Sequence, residues 1–332
     1  MIDVRQLPLA DGRVLIPFER VARPCDYRPA AAVRMPNRCP FCAGHENDTP
    51  DPLTVRPTDG PWEVRVIPNK FPALSPLSPL DTFNPVATRP STIPLCFGQH
   101  EVVIESPRHV TRFSELDQRQ VEYTLQAYRD RIAAHRADLR LVYSLVFRNC
   151  GADAGASLEH VHSQIMATRW VPANVATEIR YLRRWRKRCG RCLLCDLLEH
   201  EIRDGRRLVA ESANFAAWCP YASRFAYETW IMPKQHLAAF DEQSDSCLRE
   251  LGPLLHEVAG RIERLPGGSG YNFWLHTTPF AGRARRPIEG GFHWHLELMP
   301  RITQQAGFEW GGGDYINPVA PEQAAATLRS LA

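Results

Sequence analysis

One order of features runs through this chain twice, and that repetition limits its fold more than anything else in the sequence. The order is a Cys-x-x-Cys pair, extended segments, a histidine just past a proline, a helix, a strand and a His-x-His close. The first passage starts at Cys39-Pro-Phe-Cys42 and continues through WEVRVIPNKFPAL and HEVVIESPRH. A helix is predicted from near Ser114, with Asp117 three residues on as its capping-box partner. Val121, Leu125, Tyr128 and Ile132 recur at helical spacing and mark its buried stripe. The strand LRLVYSLVFRN and the segment bearing His160 and His162 complete the passage. The second passage opens at Cys192-Leu-Leu-Cys195 and has its histidine in IMPKQH. Its helix carries Leu248, Leu251, Leu255, Val258 and Ile262; YNFWLHTTP and FHWHLELMP follow, closing on His293 and His295.

Self-similarity over about 140 residues implies two copies of one α+β unit. Each is expected to be an antiparallel sheet with a helix packed on it. The boundary is placed near Arg183, giving units 1–183 and 184–332, and the basic run RYLRRWRKRCGR (Arg180 to Arg191) reads as the connector. With 332 residues and 44% hydrophobic content, the chain can bury two ordinary cores. Its net charge of +3 is too mild to imply a nucleic-acid partner. Neither a basic-then-apolar leader nor a membrane-length apolar run is read in the sequence, so a cytoplasmic location is expected. Ten cysteines in such a chain are then reduced thiols or metal ligands rather than a disulfide framework.

Zinc favours four thiolate or imidazole ligands in a tetrahedron, two of them from a tight knuckle. The first passage offers Cys39, Cys42, His109 and His160; the second offers Cys192, Cys195, His236 and His293. A single Cys-x-x-Cys equally suits buried thiols or a redox pair, but repetition of the whole ligand order argues for metal. With all four positions filled by protein, both sites would be closed and structural, two zinc ions per chain. Cys189 creates an overlapping knuckle in CGRCLLC; Cys192 and Cys195 are preferred because they repeat the first passage.

The segment NCGADAGASLEHVHSQIMA places small residues directly before His160, His162 and Gln164. On a strand those three side chains share a face, and the small residues form a turn that a phosphate can approach closely. An isolated His-x-His also fits a pair of surface histidines on an edge strand.

NCGADAGASLEHVHSQ resembles the active-site segment of the galactose-1-phosphate uridylyltransferase family, a branch of the histidine-triad superfamily. FERVARP, CPFC, VRVIPNKFPAL and GFEWGGGDYINPV extend the resemblance over nearly the whole chain. It implies two tandem histidine-triad-like units and a nucleotidyltransferase of the UDP-glucose–hexose-1-phosphate type. His162 would be the nucleophile, forming a nucleotidyl-histidine in a ping-pong route, and His160 a zinc ligand. Gln164 would donate to a nonbridging phosphate oxygen. Arg20, Arg23, Asn69, Asn149, Gly155 and Ser157 would surround the nucleotide and phosphates. The implied partners are a nucleotide sugar, a sugar 1-phosphate or phosphate, and a second copy of the chain in a homodimer. Val161 stands between the histidines where the well-known uridylyltransferases have proline, and Ser163 follows. This motif style is similar to the ADP-glucose phosphorylase-like branch, which makes adenylyl transfer from ADP-glucose to phosphate the alternative. A zinc-stabilised nucleic-acid binder is the reading from another class; salt-sensitive binding would then dominate.

Overall fold

Alternation of apolar and polar residues along an extended segment lets a strand bury one face, and the computed structural model arranges the strands into one sheet of ten and a smaller one of three. It describes residues 2–17, 38–76, 97–265, 270–280, 291–303 and 305–331. In chain order these contain β1 (Ile2–Gln6), β2 (Arg13–Pro17), β3 (Thr54–Arg56), β4 (Val64–Pro68), β5 (Gly98–Ile104), α1 (Gln118–Ala137), β6 (Tyr143–Cys150) and β7 (His162–Thr168). There follow α2 (Ala173–Cys189), α3 (Leu193–Asp204), β8 (Leu208–Glu211), β9 (Phe215–Trp218), β10 (Thr229–Pro233), α4 (Asp245–Glu263), β11 (Tyr271–His276) and β12 (His295–Pro300). The last are α5 (Gly307–Gly312), β13 (Tyr315–Ile316) and α6 (Pro321–Ser330). Among the described residues no helix is long and apolar enough to cross a membrane.

The ten-stranded sheet runs β3-β4-β5-β7-β6-β11-β12-β10-β9-β8. Read outward from its centre, the first passage gives β6, β7, β5, β4, β3 and the second β11, β12, β10, β9, β8. The two sequence copies thus have matching strand orders. They are fused rather than separate, because β6 pairs antiparallel with β11, Asn149 opposite Asn272. That pairing removes two open sheet edges, each of which would otherwise leave a row of unpaired backbone groups. Residues 183 and 184, where the boundary was expected, lie inside α2, and β13 returns to pair with β2 near the N-terminus.

α1 starts four residues later than the sequence suggested. Asp117 is itself the N-cap, accepting from the Gln120 N–H at 2.8 Å, while the Gln120 side chain accepts from the Asp117 N–H at 3.1 Å. Ser114 falls in a short 3-10 turn, Phe113–Glu115. The expected stripes are buried: Val121, Leu125, Tyr128 and Ile132 on α1, and Leu248, Leu251, Leu255, Val258 and Ile262 on α4. They share one core against one face of the sheet. The opposite face carries the Cys-x-x-Cys segments and α2 and α3, packed through two smaller cores. The histidines lie on this second face.

Candidate nucleotidyl-transfer and metal sites

Each Cys-x-x-Cys turn meets its two histidines. Cys39, Cys42, His109 and His160 form one cluster, and Cys192, Cys195, His236 and His293 another; within each, the ligand atoms lie within 4.8 Å of one another. In the first, Cys39 Sγ stands 3.5 Å from His160 Nδ1, and Cys42 Sγ 3.5 Å from His109 Nδ1 and 3.6 Å from His160 Nδ1. In the second, Cys195 Sγ lies 3.3 Å from His236 Nδ1 and 3.4 Å from His293 Nδ1. Bonds of about 2.3 Å to sulfur and 2.0–2.1 Å to nitrogen in a tetrahedron place S and N about 3.6 Å apart, so both donor sets fit zinc.

The chemistry of the first cluster agrees with its geometry. Burial pushes the Cys42 thiol up to about 11, and neighbouring Cys39 adds to the shift, so ionising both thiols as ligands would take a compensating cation. His160 Nε2 donates to the Ser106 carbonyl at 2.9 Å, which turns the Nδ1 lone pair toward the sulfurs. Burial lowers its pKa to about 4, keeping the ring neutral as a ligand must be. Cys189 is exposed and belongs to neither cluster.

His162 opens β7 two residues beyond His160. It is buried, edge-on to Phe41 at 5.4 Å between ring centroids. Its Nδ1–H donates to the His160 carbonyl at 2.7 Å. A carbonyl can only accept, so the proton is fixed on Nδ1 and the lone pair on Nε2 is left for a substrate. Burial holds the pKa below the ordinary imidazole value, with Arg148 adding to the effect. The resulting neutral ring is the nucleophilic form.

Gln164 shares the His162 face of β7, and the structure brings Asn69 beside it through His100, which the sequence reading missed. His100 Nε2 lies 2.8 Å from Gln164 Oε1 and 3.2 Å from Asn69 Nδ2. The available signal was strand alternation in GQHEVVI, which puts His100 on the same face as Val102. Asn149, the penultimate residue of β6, accepts from Asn272 Nδ2 at 2.7 Å. Gly155 closes the turn before the histidines with φ +82°, a conformation that glycine adopts without strain. A Cβ there would meet nothing within 4 Å, so the backbone angle rather than space demands glycine. Ser157 is exposed on the same loop. Arg20 and Arg23 lie outside the described residues.

Behind β7, on the α1 face, Ser163 points away from its neighbours His162 and Gln164. It hydrogen-bonds Glu105 and Tyr128; Tyr128 Oη also donates to Glu105 at 2.9 Å, and Arg148 pairs with Glu105. All four are buried. An ion pair this deep is held by its hydrogen bonds, and it ties β7 to the end of β5, to β6 and to α1 directly beneath His162.

The second copy is built differently at the corresponding place. His295 repeats the backbone contact of His162, donating from Nδ1 to the His293 carbonyl at 3.0 Å. Glu297 replaces Gln164, however, and lies 3.3 Å from His295 Nε2, while Glu178 of α2 accepts from His276 Nδ1 at 2.9 Å. The ligand atoms of Glu178, His276 and His295 fall within 4.8 Å of one another, a third cluster that sequence reading did not anticipate. Burial lowers the His295 pKa, but Glu178 and Glu297 outweigh it and raise it to about 8. A protonated ring has no lone pair for attack, which sets His295 apart from the neutral ring of His162.

The family model described as galactose-1-phosphate uridyl transferase, N-terminal domain, matches residues 4–172, and a domain of unknown function, DUF4921, matches residues 111–330. An ADP-glucose phosphorylase from Arabidopsis thaliana is 34% identical, over 99% of this chain and 93% of its own. A galactose-1-phosphate uridylyltransferase from Thermotoga maritima is 28% identical, over 99% and 98%. Among solved structures, an Arabidopsis thaliana ADP-glucose phosphorylase with bound ADP-glucose superposes with a TM-score of 0.86 at 33% identity, covering 100% of both chains.

Proposed function

Because the chain belongs to the galactose-1-phosphate uridylyltransferase family and is a nucleotidyltransferase, we propose that it transfers the nucleotidyl group through a covalent bond to His162. The carrying observation is the 2.7 Å hydrogen bond from His162 Nδ1 to the His160 carbonyl, which leaves Nε2 as the free nucleophilic atom. Nε2 attacks the α-phosphorus of a nucleoside diphosphate glucose. The phosphoanhydride bond breaks, and its electron pair leaves on glucose 1-phosphate. An oxygen of the acceptor phosphate then attacks the nucleotidyl-histidine and releases neutral imidazole. Gln164 donates to a nonbridging oxygen in both steps. Asn69, Asn149, Gly155 and Ser157, with Arg20 and Arg23, surround the nucleotide and phosphates. Zinc in both Cys2His2 sets would be structural, fixing the loop and strand that aim His162.

Two substrate pairs fit this chemistry: UDP-glucose with galactose 1-phosphate, the family's namesake reaction, and ADP-glucose with phosphate. The second has the stronger support, from 34% identity to the Arabidopsis phosphorylase and from Val161 and Ser163 in the His-x-His-x-Gln segment. Incubating the enzyme with each pair and following glucose 1-phosphate decides between them. The adenylyl reading expects ADP and glucose 1-phosphate from ADP-glucose and phosphate; turnover confined to the uridylyl pair overturns it.

The same reading includes a cytoplasmic homodimer in which GFEWGGGDYINPV helps to complete the neighbouring copy's substrate pocket. Phe308 and Trp310 on α5 support it, being 45% and 76% exposed where a second chain would cover apolar surface. Sedimentation at assay concentration is expected to give a dimer. Full activity from a monomer would contradict it.

A further inference from the structure

We propose that His100 is a positioning residue that fixes which end of the Gln164 amide faces the reacting phosphate; this rests on the reading of Gln164 as a phosphate donor. β5 and β7 pair with Val102 opposite Gln164, so His100, two residues back, is its diagonal neighbour on the same face. The proton positions follow from groups that have no choice. The Ala73 backbone N–H donates to His100 Nδ1 at 3.1 Å, so Nδ1 carries the lone pair and Nε2 the hydrogen. Asn69 Oδ1 takes the Phe71 backbone N–H at 2.8 Å, so Asn69 turns its amide nitrogen, not its oxygen, toward His100.

The acceptor left for His100 Nε2–H among the described residues is Gln164 Oε1, 2.8 Å away. With its oxygen held there, Gln164 directs its NH2 group elsewhere, and no described residue accepts from it. That is the orientation a phosphate oxygen requires. A glutamine amide rotates in a broad, roughly two-fold torsional well, and the reversed orientation would set oxygen lone pairs against the anion. His100 reaches this position through the Asn69-to-Ala73 segment, whose Asn69 N–H also donates to the His100 carbonyl at 2.8 Å. A nucleotide-side loop and the transfer strand are therefore joined through one imidazole.

The test is a double-mutant cycle read by single-turnover release of glucose 1-phosphate from ADP-glucose and from UDP-glucose. His100→Ala is expected to slow release by about tenfold to a hundredfold, less than the roughly hundredfold to thousandfold loss on removing the Gln164 donor outright. In a Gln164→Ala background the same change should cost less than about twofold, because a residue acting through another has nothing left to act on. His100→Gln, which keeps an amide donor in reach, should recover part of the rate and covers the case in which His100→Ala fails to fold. Equal losses in both backgrounds, or no loss from His100→Ala while Gln164→Ala slows release, would overturn the proposal. If Gln164→Ala itself leaves the rate unchanged, the phosphate-donor reading falls and takes this one with it.

Discussion

Replacing His162 with alanine is expected to lower nucleotidyl transfer by roughly five to six powers of ten, the scale of losing a nucleophile from a covalent route. In the proposed route the ring supplies the atom that bonds to phosphorus, and among the described residues no neighbouring group replaces it. His295 in the second copy is enclosed by Glu178 and Glu297, which raise its pKa. Exchange of label between glucose 1-phosphate and the nucleotide sugar isolates the first half-reaction and should disappear in the variant. The fold should survive, because His162 lies outside both Cys2His2 clusters. Unchanged metal content and melting temperature would separate lost chemistry from lost structure.

Cys39→Ser is expected to produce the largest loss of stability. It removes one of two cysteine ligands from a site where the proposed metal would join the loop at 39–42, the segment at His109 and the approach to β7. Losing a structural metal belongs among the few single changes that cost more than about 4–5 kcal/mol. At roughly 2–4 °C per kcal/mol for a chain of 150–250 residues, the melting temperature should fall by about 10 °C. Metal content should drop from about two ions per chain to about one, since closed sites hold their ion through all four ligands. Cys189→Ser is the control: Cys189 is exposed and outside both clusters, so metal content and melting should not change. A wild-type protein holding far less than one ion per chain would contradict the zinc assignment.

The repeat was legible because it is written in local patterns. Helical stripes, strand alternation and the order of Cys and His residues are all properties of neighbouring residues, and the eight proposed ligands do converge in two groups of four. What was illegible depends on partners far apart in the chain. The fusion of the halves depends on β6 finding β11, more than a hundred residues later, and neither strand carries a mark of that pairing. Glu105 and Arg148 look like ordinary strand charges until Ser163 and Tyr128 close over them. Glu178 reads as one more polar residue of a basic helix, yet α2 inserts it between His276 and His295. His100 was visible as a residue but not as a contact, because its meaning comes from Ala73 and Gln164 together. The start of α1 differs for a local reason: Ser114 and Asp117 are both cap-type residues, but Ser114 lies inside a short 3-10 turn whose N-cap is Arg112, and Asp117 caps the helix.

The central claim is a nucleotidyl group carried on His162. Its most direct measurement is brief incubation of the wild-type protein with ADP-glucose, and separately UDP-glucose, labelled at the α-phosphate, followed by denaturation and peptide mapping. The expected result is label that is lost in acid and kept in base, as for a phosphorus–nitrogen bond to imidazole, on the peptide spanning Asn149 to Ala167 and absent from His162→Ala. Steady turnover with no labelled protein, or label on that peptide persisting in His162→Ala, would contradict it.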